Sequence, residues 1–130
     1  MLEWIELFSS LKAGEISTLE MFCQTRQIKA WEVLFEKWEE SNSMYIVKNG
    51  SLEAYIVNKV LWNIKVGEFV WEMAIFNEPK VRTASVRAVV DTEVIILLSF
   101  SIQQLSKTNP EIVQKIQDVI AERNTKNGIN

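Results

Sequence analysis

Apolar residues fall at Leu2, Ile5, Phe8 and Leu11, with Trp4 and Leu7 alongside. That amphipathic spacing predicts a helix over 2–11. Ala13-Gly14 breaks the pattern, and a second helix is predicted up to about residue 23. Its apolar positions are Ile16, Leu19, Met21 and Phe22, with Gly14 or Ser17 near its start. From Thr25 to Leu98 the pattern changes to short runs rich in Val, Ile, Tyr and Trp, separated by turn-forming residues. Strands are predicted near 26–29, 32–36, 44–48, 52–57, 60–65, 83–90 and 93–98. Ser51-Leu52-Glu53-Ala54-Tyr55-Ile56-Val57 alternates clearly, Asn49-Gly50 is a tight-hairpin signal, and Gly67 marks a second turn.

Helical spacing returns with Phe100, Ile102 and Leu105. Asn109-Pro110 then opens another helix, because proline is favourable in a first turn. Ile112, Val113, Ile116, Val119 and Ile120 form its apolar stripe, and residues 124–130 are polar and expected to fray. Within the strand block, Trp71 to Phe76 leaves room only for a helix of one or two turns. Many short strands at regular spacing predict a mainly β fold with flanking α. The expected form is a jelly-roll-like antiparallel β-barrel with N-terminal and C-terminal helices. One domain is expected over 1–130, with helices in 2–23, a β-roll in 25–98 and C-terminal helices in 99–124.

Composition narrows the chemistry. The 130 residues suit a single domain that buries a core unaided. A net charge of −3 lacks the basic excess of a nucleic-acid footprint. The longest apolar run, Val94-Ile95-Ile96-Leu97-Leu98, has strand length and is far too short to span a membrane. The N-terminus lacks a basic stretch and apolar signal core, so a cytoplasmic location without membrane attachment is expected. Histidine is absent and there is one cysteine. This excludes Ser-His-Asp and Cys-His catalysis, the common zinc sites, histidine-ligated haem, four-cysteine clusters and an intramolecular disulfide. Cys23, following Leu19 and Phe22, reads as a buried structural thiol.

The candidate chemistry lies in VWEMAIFNEPKVRTAS, residues 70–85. A short helix starting near Glu72 would aim its free first-turn N–H groups at an anion. Arg82 could return to the same place and neutralise a phosphate by a forked contact, with Thr83 adding a hydroxyl donor. Glu72 repels phosphate but accepts hydrogen bonds from sugar hydroxyls or pairs with Arg82. Together these suit a ribose carrying one phosphate. One glutamate and one arginine ten residues apart are equally compatible with an exposed pair that binds nothing.

The order of elements, with several motifs, resembles the cyclic nucleotide-binding domain, and most closely the sensor domain of catabolite-activator/Fnr-type regulators. LFSSL is similar to the family's LFxxL helix, and EVLFEKWEESNSMYIVKNGSLEAY to its first hairpins. GEFVWEMAIF resembles the phosphate-binding cassette, VRTASVRAVVDTEV the arginine-bearing strand, and NPEIVQKI the start of the long C-terminal helix. The resemblance covers nearly the whole chain, and the cassette is its specific part. It implies that Glu72 binds a ribose 2′-hydroxyl and that Arg82 pairs with a cyclic phosphate. Thr83 would hydrogen-bond that phosphate, and Met73 and Ala74 would offer backbone groups and walls. The implied ligand is cAMP or cGMP, with no cofactor or metal and no catalysis; the implied role is a stand-alone regulatory or sensor domain in signal transduction.

Departures from the family pattern bear on that reading. Trp71 stands where the cassette has glycine, Trp31 where a glycine precedes Glu-Val, and Trp38 at a turn glycine. Because bulky residues avoid positive φ, these turns are expected either to have changed shape or never to have needed positive φ, with Trp31 and Trp38 covering the barrel. Trp71 enters the cup, covers it or turns outward, or stacks on a base. If it occludes the cup, the chain is a degenerate domain acting as an interaction module for an unknown protein partner. Such regulators continue into a helix-turn-helix, whereas this chain stops one or two turns beyond Arg123, so DNA binding by itself is not expected. Ile112, Ile116 and Val119 are expected to pack on the barrel.

Overall fold

Four stretches of chain, residues 2, 4–36, 43–70 and 84–126, are described by the structure, a computed structural model. The chain starts with a 3₁₀ turn at Glu6–Phe8 and the helix α1 (Ala13–Phe22). Eight strands follow: β1 (Gln24–Ile28), β2 (Val33–Phe35), β3 (Ser43–Asn49), β4 (Leu52–Ile56), β5 (Lys59–Ile64), β6 (Phe69–Val70), β7 (Ser85–Ala88) and β8 (Thr92–Leu98). Helices α2 (Ser99–Ser106) and α3 (Pro110–Lys126) close the order.

The strands form two antiparallel four-stranded sheets, in the orders β1-β8-β3-β6 and β2-β7-β4-β5. The jelly-roll-like antiparallel fold expected from the sequence is therefore present, but as two facing sheets and not as a closed barrel. Each of the seven predicted strands is found with ends within two residues of those predicted. β6 is additional. With two residues it offers no alternation to read, and it exists by pairing Val70 with Tyr45 and Phe69 with Ile46.

Two hydrophobic cores explain the apolar pattern. In the first sheet Met44, Ile46, Phe69, Ile95 and Leu97 face the helices and pack with Leu2, Ile5, Phe8, Ile102, Ile112 and Ile116. The opposite face of the same sheet supplies Val47, Val70 and Val94 to a second core. There they meet Leu52, Ala54, Ile64, Ala84, Val86 and Ala88 of the second sheet and its entry. Covered on both faces, β8 reads as the continuous apolar run 94–98. The second sheet is covered on one face only, so β4 alternates. Ile112 and Ile116 join the helix-side core with Val119 partly buried beside them, where α3 meets α2 and the 3₁₀ turn.

The N-terminal segment differs from expectation. The described residues among 2–11 are not an α-helix. They form successive 3₁₀-type turns, with Ile5 N–H donating to Leu2 O (3.1 Å), Phe8 to Ile5 (2.9 Å), Ser9 to Glu6 (3.1 Å) and Leu11 to Phe8 (3.0 Å). The physical reason is the spacing itself: buried residues at 2, 5, 8 and 11 repeat every third position, the 3₁₀ period and not 3.6. Ala13-Gly14 does not break a helix but begins one. The Glu15 carboxylate accepts from Lys12 N–H at 2.9 Å, satisfying an end donor.

Trp31 also departs from expectation. It keeps the positive φ of a glycine, 68°, and it lies 61% exposed instead of covering the core. Its N–H donates to Ala88 O at 2.8 Å, and the Arg87 guanidinium sits 5.5 Å from its ring centroid. That cation–π contact offsets part of a backbone cost of about 1–2 kcal/mol. Trp38 lies outside the described residues. Gly50, by contrast, is required: at φ 99° its missing Cβ would lie 2.5 Å from Thr92 Oγ1 and 2.7 Å from Asp91 O.

Candidate functional site

All six residues singled out from the sequence, Trp71, Glu72, Met73, Ala74, Arg82 and Thr83, lie in 71–83, outside the described residues. What the structure supplies is the frame that holds the two ends of this segment. Val70 ends β6 in the first sheet, and Ala84 precedes β7 in the second. Both are buried in the second core. Residues 71–83 therefore connect one sheet to the other, with each end fixed in the apolar interior between them.

The lead-in is rigidly tied. Gly67 N–H donates to Val47 O at 2.8 Å, Val47 N–H to Glu68 O at 3.0 Å and Glu68 N–H to Lys65 O at 2.9 Å. The Glu68 carboxylate accepts from Lys65 N–H at 2.7 Å. Gly67 has φ 87°, and a Cβ there would meet the Trp4 ring at 3.3 Å. The kept glycine thus fixes the turn immediately before the segment.

The exit is tied through β7. Arg87 faces outward and pairs with Glu53 on β4. Its Nε and Nη2 donate to Glu53 Oε2 at 2.7 and 2.6 Å. The guanidinium also lies 4.2 Å from the Tyr55 ring centroid. Arg26 is occupied too, by Glu32 at 3.3 Å. Both described arginine side chains outside helix α3 are thus paired with carboxylates.

On the inner face of the second sheet the small residues Ala54, Val86 and Ala88 lie beside the larger Leu52 and Ile64. Trp62, paired with Ala54, packs against them from β5. Nothing in the local pattern singles out Trp62, since an aromatic in a strand is ordinary. Only the register shows that it points between the sheets.

A separate open groove of about 640 Å³ runs between α1 and α2, lined by Leu19, Phe22, Cys23, Leu98, Phe100 and Leu105 among others. Cys23 is half-buried there, less enclosed than expected, and its Sγ–H donates weakly to Glu20 O at 3.4 Å. Burial, reinforced by the Glu20 carboxylate, pushes its thiol pKa up, so the reactive thiolate is disfavoured. At the groove's edge Glu15 accepts hydrogen bonds from Asn109 Nδ2 and Thr108 Oγ1, joining α1 to the α2–α3 corner. Among the described residues no cluster of His, Cys, Asp or Glu could hold a metal ion, and no helix is long and apolar enough to cross a membrane.

Comparison with known proteins gives a consistent result. The family model described as cyclic nucleotide-binding domain matches residues 25–109. A putative potassium channel protein of Rhodopseudomonas palustris is 29% identical over 130 residues, covering 98% of this chain and 31% of its own length. The cAMP-activated global transcriptional regulator CRP of Salmonella typhimurium is 27% identical over 114 residues, covering 82% of this chain and 54% of its own. The chain thus spans about a third to a half of these relatives. In fold it is similar to a cAMP-bound PfPKA-R, with a TM-score of 0.85, 19% identity, and coverage of 99% of this chain and 45% of that one. With the family model matching most of the chain, across both sheets and through the connecting segment, this protein belongs to the cyclic nucleotide-binding domain family.

Proposed function

We propose that the chain is a non-enzymatic regulatory module that binds cAMP or cGMP between its two sheets, through residues 71–83. Arg82 neutralises the cyclic phosphate, Thr83 donates a hydrogen bond to it, and Glu72 accepts one from the ribose 2′-hydroxyl. Met73 and Ala74 form the wall. The observation that carries this reading is the family match over 25–109, which contains the whole segment. Burial of Val70 and Ala84 in the second core supports it by fixing both ends of the segment at the inter-sheet space. The engagement of Arg26 and Arg87 by carboxylates favours Arg82 as the cation for a phosphate. The roles of Arg82 and Thr83 rest on the motif. Cytoplasmic action on a protein partner, without direct DNA binding, completes the proposal.

Isothermal titration with cAMP and cGMP tests it. Micromolar binding is expected, with a loss of about tenfold or more in Arg82→Gln, the worth of a charged hydrogen bond. Absence of heat and of any melting shift with both nucleotides would refute the reading. The tryptophan at 71, next to the proposed ribose contact, favours a second reading. In it the cup is filled by Trp71 and the fold serves only as an interaction module. Nucleotide binding that appears only in Trp71→Gly supports this alternative.

A further inference from the structure

Trp62 carries an inference that rests on the nucleotide reading above. In register it stands opposite Ala54, which in turn stands opposite Val86. Directly paired residues share a face of the sheet, so Trp62 points to the interior with these two fully buried partners. It packs against the second core, and its Nε1 is buried, although the residue as a whole keeps partial contact with solvent. The indole thus lies on the inner face beside the small side chains of Ala54 and Val86, with part of its surface still open. That row lies one residue along β7 from Ser85, the first strand residue after Ala84, where the proposed ligand-holding segment returns to the sheet. Two strand spacings, about 10 Å, separate the backbones at 62 and 86.

An indole and a purine share one shape: a flat five-membered ring fused to a six-membered one. We infer that the Trp62 indole occupies the space that the base of a cyclic nucleotide needs between the sheets. Binding then requires the indole to give way, and Trp62 sets the affinity for base-bearing ligands. Filling of the core alone explains the packing but makes no claim on ligand affinity, and the two accounts separate experimentally.

The test titrates cAMP, cGMP and ribose 3′,5′-cyclic phosphate into the full chain and into Trp62→Ala and Trp62→Leu, with thermal melts to confirm folding. Trp62→Ala is expected to bind cAMP or cGMP at least tenfold tighter than wild type, with Trp62→Leu between. The base-free phosphate should gain nothing. Folded variants that bind no tighter than wild type overturn the inference, as does a complete lack of binding in all three proteins. If wild-type binding depends on Arg82 while the Trp62 variants gain nothing, the nucleotide reading stands and this inference falls. If Trp62→Ala tightens binding that Arg82→Gln leaves untouched, the inference stands and the role of Arg82 falls. Should neither variant fold, the indole N–H resonance of wild-type Trp62 decides: displacement at saturating nucleotide supports the inference, and an unmoved resonance overturns it.

Discussion

Replacing Arg87 with methionine isolates the outer-face cluster of the second sheet. Glu53 is 8% exposed as a residue and 11% in its side chain, whereas the Arg87 side chain is 32% exposed. Without the guanidinium, a nearly buried carboxylate loses two charge-assisted hydrogen bonds, at 2.6 and 2.7 Å. A fully buried orphaned charge costs about 3–5 kcal/mol, and the partial opening to water on the arginine side lowers this to about 2 kcal/mol. Loss of the cation–π contacts to Tyr55 and Trp31 adds about 1 kcal/mol. The sum, about 3 kcal/mol, corresponds to a fall in Tm of roughly 10 °C for a chain of this size. Urea unfolding of Arg87→Met measures it. Adding Glu53→Leu should recover more than half of the loss, because the second change removes the stranded charge. A cost below about 0.5 kcal/mol for Arg87→Met alone would refute the reasoning, as would a double mutant less stable than the single.

Two further predictions concern the turns and helix ends. Val57 begins the two-residue connection from β4 to β5 at φ 56° and is 82% exposed, so Val57→Gly relieves strain and sacrifices no packing. A gain of about 1 kcal/mol in urea unfolding is expected after the glycine's own entropic cost. The Glu15 pKa is lowered chiefly by the Lys12 N–H, with help from Asn109 and Thr108. A depressed folded-state pKa means that its contribution is present above the unfolded carboxylate value and is lost as pH falls through the folded one. Glu15→Gln should therefore cost stability at neutral pH and flatten the acid limb of the stability profile. An unchanged limb would show that the α1–corner tie contributes nothing.

Strand positions were legible because the second sheet has one wet face. Leu52 and Ala54 alternate with Glu53 and Tyr55, and the tight turn at Gly50 announces itself. Legibility failed where the physics is not local. The 3₁₀ turns of residues 2–11 share their apolar spacing with an α-helix except for a fraction of a residue per turn. β6 exists only through its partner β3. Trp31 holds a conformation its type disfavours, and the ring contact that offsets part of its cost comes from Arg87, distant in sequence. For the candidate site, the cassette motif marked the segment itself. The frame, Val70, Ala84 and inward-facing Trp62, depends on register across three strands and two sheets, which no stretch of sequence displays.

The pairing of β8 with both β1 and β3 also governs how the chain reaches its native state. Gln24 meets Ile96, and Ser43 meets Leu98. The first sheet therefore has no middle until the last strand arrives, and closing such long loops is entropically slow. During synthesis β1 waits unpaired and β3 has only the two-residue β6 to pair with, while the local β4–β5 hairpin forms. Only when residues 92–98 clear the ribosome do the waiting edges join and the helix-facing core assemble. Folding is thus expected to run late and cooperatively, and the nascent chain's window of aggregation lasts until β8 is made.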